Sequence, residues 1–135
     1  MTIDPEIQAL KLRIRALELG VGSLPVPGAA QLVGAAGKPV FVNGWINTGG
    51  TMAPLHYWQG TTRSVTIVGR VKTGTLGSVV FVLPTGFRPL TGLQVPTMCG
   101  GGVVGYCLVD AAGNVTLGGG NNSDVGLSFT FRTDV

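Results

Sequence analysis

The stretch "SVTIVGRVK" (Ser64–Lys72) decides the fold class. Val65, Ile67 and Val71 fall on one parity, and Thr66, Arg70 and Lys72 on the other. A period of two belongs to a strand with one covered face and one wet face. "LSFTFR" (Leu127–Arg132) repeats the pattern: Leu127, Phe129 and Phe131 face in, while Ser128, Thr130 and Arg132 face out. Further strands are predicted at Val40–Ile46, Leu55–Trp58, Val79–Leu83, Leu93–Thr97, Val103–Val109 and Asn114–Leu117. Turn residues separate them at Asn47–Gly50, Thr73–Gly77, Gly100–Gly102, Asp110–Asn114 and Gly118–Asp124. Short strands at such spacing predict a mainly β head over residues 40–135, an antiparallel β-sandwich of jelly-roll-like form. "VVFVL" (Val79–Leu83) is apolar on both parities, which predicts cover on both faces, centrally or at a subunit contact.

The first residues read differently. Asp4 suits a helix N-cap, Pro5 the first helical position and Glu6 the positive end of the dipole, while Gly20 suits the position past the C-terminus. Ile3, Ile7, Leu10, Ile14 and Leu17 recur at spacings of 4, 3, 4 and 3, a heptad seam. In that register Glu6 and Arg13 take g positions, and Lys11 and Glu18 take e positions. Parallel neighbours would then pair Glu6 with Lys11 and Arg13 with Glu18, opposite signs both times. A lone helix of about 15 residues is marginal in water. The segment is therefore expected to find its partners in other copies of the chain. Ile at a with Leu at d favours a dimer. "RIRALE" (Arg13–Glu18) resembles the short motif of many three-stranded coils, and the expectation is a parallel homotrimer. The alternative is an amphipathic helix packed on its own β-domain; Leu12 and Leu19, at the outward f position, keep it open. Between helix (1–20) and head, residues 21–39 are rich in Gly, Pro and Ala and read as an extended linker.

Bulk properties agree with an assembly. The 135 residues suffice for one domain with an appendage. Charged residues make up only 11 % of the chain, and the mean hydropathy is +0.43. No apolar run approaches the roughly 18 residues of a membrane span, so no membrane insertion is expected. The surplus hydrophobicity points instead to surface covered in an oligomer. "MTIDPEI" lacks the basic and apolar regions of a signal peptide. A net charge of +3 without a basic run gives no footprint for nucleic acid.

At "SVTIVGRV", "SVVFVLPTGFRPL", "YCLVDAAGNVTL" and "LSFTF" the order of motifs resembles the head modules of tailed-bacteriophage tail fibres, minor tail proteins and receptor-binding proteins. The match covers residues 62–132, with Leu83, Pro84, Gly86, Phe87, Arg88 and Pro89 as its centre and Ala112–Val115 as its later turn. "CGGGVVG" (Cys99–Gly105) is richer in glycine than the pattern. The resemblance implies a trimer behind a coil or shaft, located in the virion, with other virion proteins and host surface glycans as partners. The motif also has a purely structural reading: two prolines end the strand, Gly86 takes a positive φ, Phe87 anchors the turn and Arg88 bonds carbonyls.

Catalytic groupings are not apparent. His56 is the only histidine, and Cys99 and Cys107 form neither a CxxC motif nor a disulfide framework, so they are expected to be reduced packing residues. Neither a metal nor a cofactor is expected, and the chain is not expected to be an enzyme. Gly100, Gly102 and Gly105 match a dinucleotide fingerprint formally, but strand-forming residues follow where a helix is required. "LHYWQG" (Leu55–Gly60) is the best binding candidate, because His56, Tyr57 and Trp58 offer aromatic faces to a sugar ring. Asn121, Asn122 and Asp124 in "GGGNNSD" could hydrogen-bond one. For both stretches the plain reading is packing or an exposed turn. The expected function is a tail-fibre or tail-tip protein that touches host glycans; the alternatives are a trimeric capsid decoration protein and a non-viral carbohydrate-binding module.

Overall fold

A computed structural model describes residues 28–135. The expected coiled-coil helix over residues 1–20, with its seam and flanking charges, and residues 21–27 of the expected linker lie outside the described residues.

The described chain is mainly β. Its strands are β1 (Gln31–Leu32), β2 (Ile46–Asn47), β3 (His56–Gln59), β4 (Ser64–Lys72), β5 (Ser78–Val82), β6 (Leu93–Cys99), β7 (Val103–Val109), β8 (Asn114–Gly119) and β9 (Val125–Arg132). All pair antiparallel, in the order β1-β3-β4-β9-β6-β7-β8-β5, with β2 also paired to β4. The sequence reading expects two sheets; the hydrogen-bonded path is instead one curled sheet, a half-barrel. The hinge of the curl is narrow. β9 meets β6 only through Met98 opposite Gly126 and Cys99 opposite Val125, so the two wings can fold toward each other about this bridge.

The curl closes on an apolar core. β4 alternates as its sequence predicts: Val65, Ile67 and Val71 are fully buried, and Thr66, Arg70 and Lys72 lie on the outer face. In β9, Leu127 and Phe131 are buried and Phe129 is half-buried. Tyr57 of β3 stacks on Phe81 of β5 with ring centroids 5.8 Å apart, so residues from near opposite ends of the strand order meet inside. Burial of such rings is the largest apolar contribution a single side chain can make.

Two expectations are corrected by backbone geometry. The predicted strand Val40–Ile46 is interrupted, because Asn43 (φ 57°) and Gly44 (φ 80°) form a tight turn closed by Trp45 N–H donating to Val42 O at 3.3 Å. Consecutive positive φ values at Asn-Gly are the signature of a primed turn. Trp45 then drops into the core and only Ile46–Asn47 pair as a strand. The second correction concerns "VVFVL". A register shift between Val79 and Phe81 is a β-bulge, and it turns Val80 and Phe81 inward together. Most of that apolar run is thus covered within one copy, leaving Val82 40 % exposed on this last strand of the order.

The Leu83–Pro89 motif locks the exit of β5. Gly86 has φ 96°, Phe87 N–H donates to Pro84 O at 3.1 Å, and the Phe87 ring meets Tyr57 edge-on at 5.1 Å. Arg88 Nε donates to Leu83 O at 2.7 Å, and Leu83 N–H donates to Gly113 O at 2.8 Å, tying the motif to the β7–β8 turn.

Candidate binding face

β3 is a strand of four residues whose alternation separates its aromatics. Tyr57 points into the core, where burial pushes its phenol above the ordinary value, while His56 and Trp58 stand half-buried on the outer face. Their rings stack with centroids 5.4 Å apart and planes 18° from parallel. His56 Nδ1 lies 2.7 Å from Pro54 O. A carbonyl only accepts, so Nδ1 carries the proton and Nε2 is left as an acceptor in the neutral ring.

The ladder register extends this pair across the sheet. Trp58 is opposite Thr66, and Thr66 is opposite Thr130, whose hydroxyl is 2.8 Å from that of Thr66. His56 is opposite Val68, and Val68 is opposite Ser128. Arg70 is opposite Gly126, Gly126 opposite Met98, and Met98 opposite Val104. Cross-strand neighbours of this kind stand about 5 Å apart. The outer face therefore carries an aromatic pair, then a patch of hydroxyls, then an open depression of about 400 Å³ lined by Val68, Arg70, Pro96, Met98, Gly126 and Ser128 among others. From Met98 the surface runs on to Val104 opposite it and, past Tyr106 along β7, to Leu108; these three are 57 %, 61 % and 38 % exposed.

The predicted loop residues are given other work, and Asp124 alone of the three touches this face, through Arg70 at the rim of the depression. Asn121 Nδ2 donates to Gly100 O at 2.9 Å, and its Oδ1 accepts from Ser123 Oγ at 2.7 Å. Asn122 Nδ2 donates to Gly74 O at 2.8 Å, and its backbone carbonyl accepts from Thr73 N–H at 2.8 Å. Asp124 accepts from Thr48 Oγ1 and Arg70 Nε, each at 3.0 Å, and pairs with Arg70 Nη2. The Arg70 hydrogen bond first, then the Thr48 hydrogen bond and the charges of Arg70 and Lys72, hold its carboxyl below the ordinary value against a smaller desolvation effect. These side chains fasten the β8–β9 loop to β2, β4 and the β6–β7 turn. Asn122 binds beside Thr73 whereas Trp58 sits opposite Thr66, roughly 20 Å apart at strand rise.

Sequence reasoning missed Thr66, Val68, Met98, Gly126, Ser128 and Thr130 as parts of one face. The available signal was Gly126, a glycine inside an otherwise alternating strand, a position that marks close approach by another group.

Among the described residues there is no group of three or more His, Cys, Asp or Glu side chains able to hold a metal. Cys99 and Cys107 are buried free thiols, and burial pushes Cys107 up to about 12, which removes its thiolate at neutral pH. No helix among the described residues is long and apolar enough to cross a membrane. Comparison of the chain with protein-family models, curated proteins and solved structures finds no match.

Proposed function

We propose that the chain is a structural virion protein of a tailed phage, the head of a tail-fibre or tail-tip homotrimer that presents the outer face of its curled sheet to host surface glycans. The observation that carries the glycan reading is the stacked His56–Trp58 pair beside the Thr66–Thr130 hydroxyl pair. A sugar is two-faced, with C–H groups for an aromatic plane and hydroxyls for the neighbouring threonines. Recognition of this kind is geometric and non-catalytic. The seam of Ile3, Ile7, Leu10, Ile14 and Leu17 supports trimerisation, and three weak sites on one particle gain through avidity. The Tyr57–Phe81 contact across the curl, with Phe87 of the Leu83–Pro89 motif against Tyr57, supports a sandwich-like head of the kind found in the phage modules the sequence resembles. Such a protein assembles in the host cytoplasm and ends in the virion.

The test has two readouts on the full chain. Sedimentation equilibrium is expected to give three times the 13.8 kDa chain mass; a monomer at micromolar concentration overturns the trimer. A glycan array is expected to show multivalent binding that Trp58→Ala abolishes; binding indifferent to that change overturns the face.

A second reading is favoured by the exposed row of Met98, Val104 and Leu108. Apolar sheet surface of this kind suits docking on another virion protein, as in a capsid decoration trimer. Copy number per virion separates the two, since a decoration protein is present in many more copies than a tail part.

A further inference from the structure

The row Arg70–Gly126–Met98 crosses the outer face with its middle side chain missing. Neither backbone nor packing requires glycine there. Gly126 does not adopt a left-handed φ, and an added Cβ would meet only Met98 O, at an ordinary 3.5 Å. A glycine inside a strand weakens it and marks a bend or a place where another group comes close; Gly126 sits in the two-pair bridge at the hinge of the curl, where its bare backbone is open to the outer face. What this glycine provides is the depression of about 400 Å³, a size within the range of small-ligand sites. Val68, Pro96 and Met98 give it apolar walls, and Met98 is flexible and 57 % exposed. The polar groups at its rim are Ser128 and Arg70, and Arg70 is already neutralised by Asp124.

We infer that this depression receives a methyl-bearing substituent of a neutral sugar, an acetamido or 6-deoxy group, while the ring lies over Val68 toward the His56–Trp58 pair. The inference rests on the glycan reading and names its ligand class. Val68 faces His56 directly in the next strand, so one ring bridges aromatic pair and depression. The apolar walls select a methyl group, and Ser128 supplies a hydrogen-bonding partner for the rest of the substituent. An acidic sugar is disfavoured because its carboxylate would have to compete with Asp124 for Arg70.

The experiment is a titration of the full chain with N-acetylglucosamine, L-rhamnose and glucose, followed by the methyl resonance of Met98 and the fluorescence of Trp58. One or both methyl-bearing sugars are expected to bind at least about fourfold more tightly than glucose, the worth of one buried carbon. The acetamido and 6-deoxy arms identify which substituent fits. Gly126→Val puts three carbons of a strong strand former on the floor of the depression, so it is expected to keep or raise the thermal midpoint while erasing the preference. Gly126→Ala, adding one carbon at ordinary contact distance, is expected to reduce it in part and guards against distortion by valine. Trp58-dependent sugar binding with no methyl preference, or a preference untouched by both variants, overturns this inference and leaves the glycan reading standing. No sugar binding at all overturns both.

Discussion

The His56–Trp58 strand and the Asn121–Asp124 loop both read in sequence as places to hold a ligand, yet the fold treats them oppositely. The loop's amides and its carboxylate are taken up by Gly100, Gly74, Thr48 and Arg70. Among the described residues, the strand's outward aromatics stack on each other, His56 bonds Pro54 O and lies opposite Leu32, and neither ring is tied down by a network like the loop's. A polar side chain with its bonds satisfied inside the chain offers little to a ligand, whereas a half-exposed aromatic keeps its face available. Exposure alone therefore does not identify a site. The number of bonding positions still open does.

The sharpest way to break this contrast lies within the strand itself. Tyr57→Ala removes a fully buried ring that touches both Phe81 and Phe87. Its expected cost is about 3–5 kcal/mol, read by denaturant unfolding. A loss under about 1 kcal/mol would mean that the alternation of β3 is wrong and that Tyr57 belongs with the outer pair.

The loop comes next in size. Asp124→Asn weakens the pairing with Arg70 and the tie to Thr48, at an expected cost of about 2 kcal/mol. Its pH dependence has a definite sign. The folded-state carboxyl lies below its ordinary 3.8, so its stabilisation is complete above that value and fades as pH falls through the lowered one. The gap in thermal midpoint between wild type and Asp124→Asn should thus be constant near neutrality and shrink on acidification below about pH 4. Asp110, held low chiefly by the Asn114 side chain, titrates in both proteins and cancels in the difference. A gap that widened in acid would deny the loop its structural role.

How much of this was legible beforehand follows from range. The alternation of β4 and β9 and the turn chemistry of Gly86–Arg88 are local, and residues a few positions apart reveal them. The bulge at Val79–Phe81 and the Asn43–Gly44 turn are also local, but a long apolar run masked the first, and strand formers on both sides masked the second. The candidate face is not local at all. It joins β3, β4, β9 and β6, and the place of β9 between β4 and β6 is set by a bridge of two residue pairs that no periodicity announces. The same holds for the loop, whose partners Thr48 and Gly100 are far away in sequence.

The smallest expected effect on stability is also the most discriminating. Trp58→Ala removes a half-buried ring whose stacking on His56 is worth under about 1.5 kcal/mol. The strand's ladder to β4 and the inward Tyr57 are untouched, so the loss of stability should stay below that of Asp124→Asn. Sugar affinity, if the outer face is the site, should fall about tenfold or more, as loss of a central aromatic anchor does elsewhere. The two numbers must part company. An equal fall in stability and binding would mean that Trp58 is packing, and the strand would then resemble the loop after all.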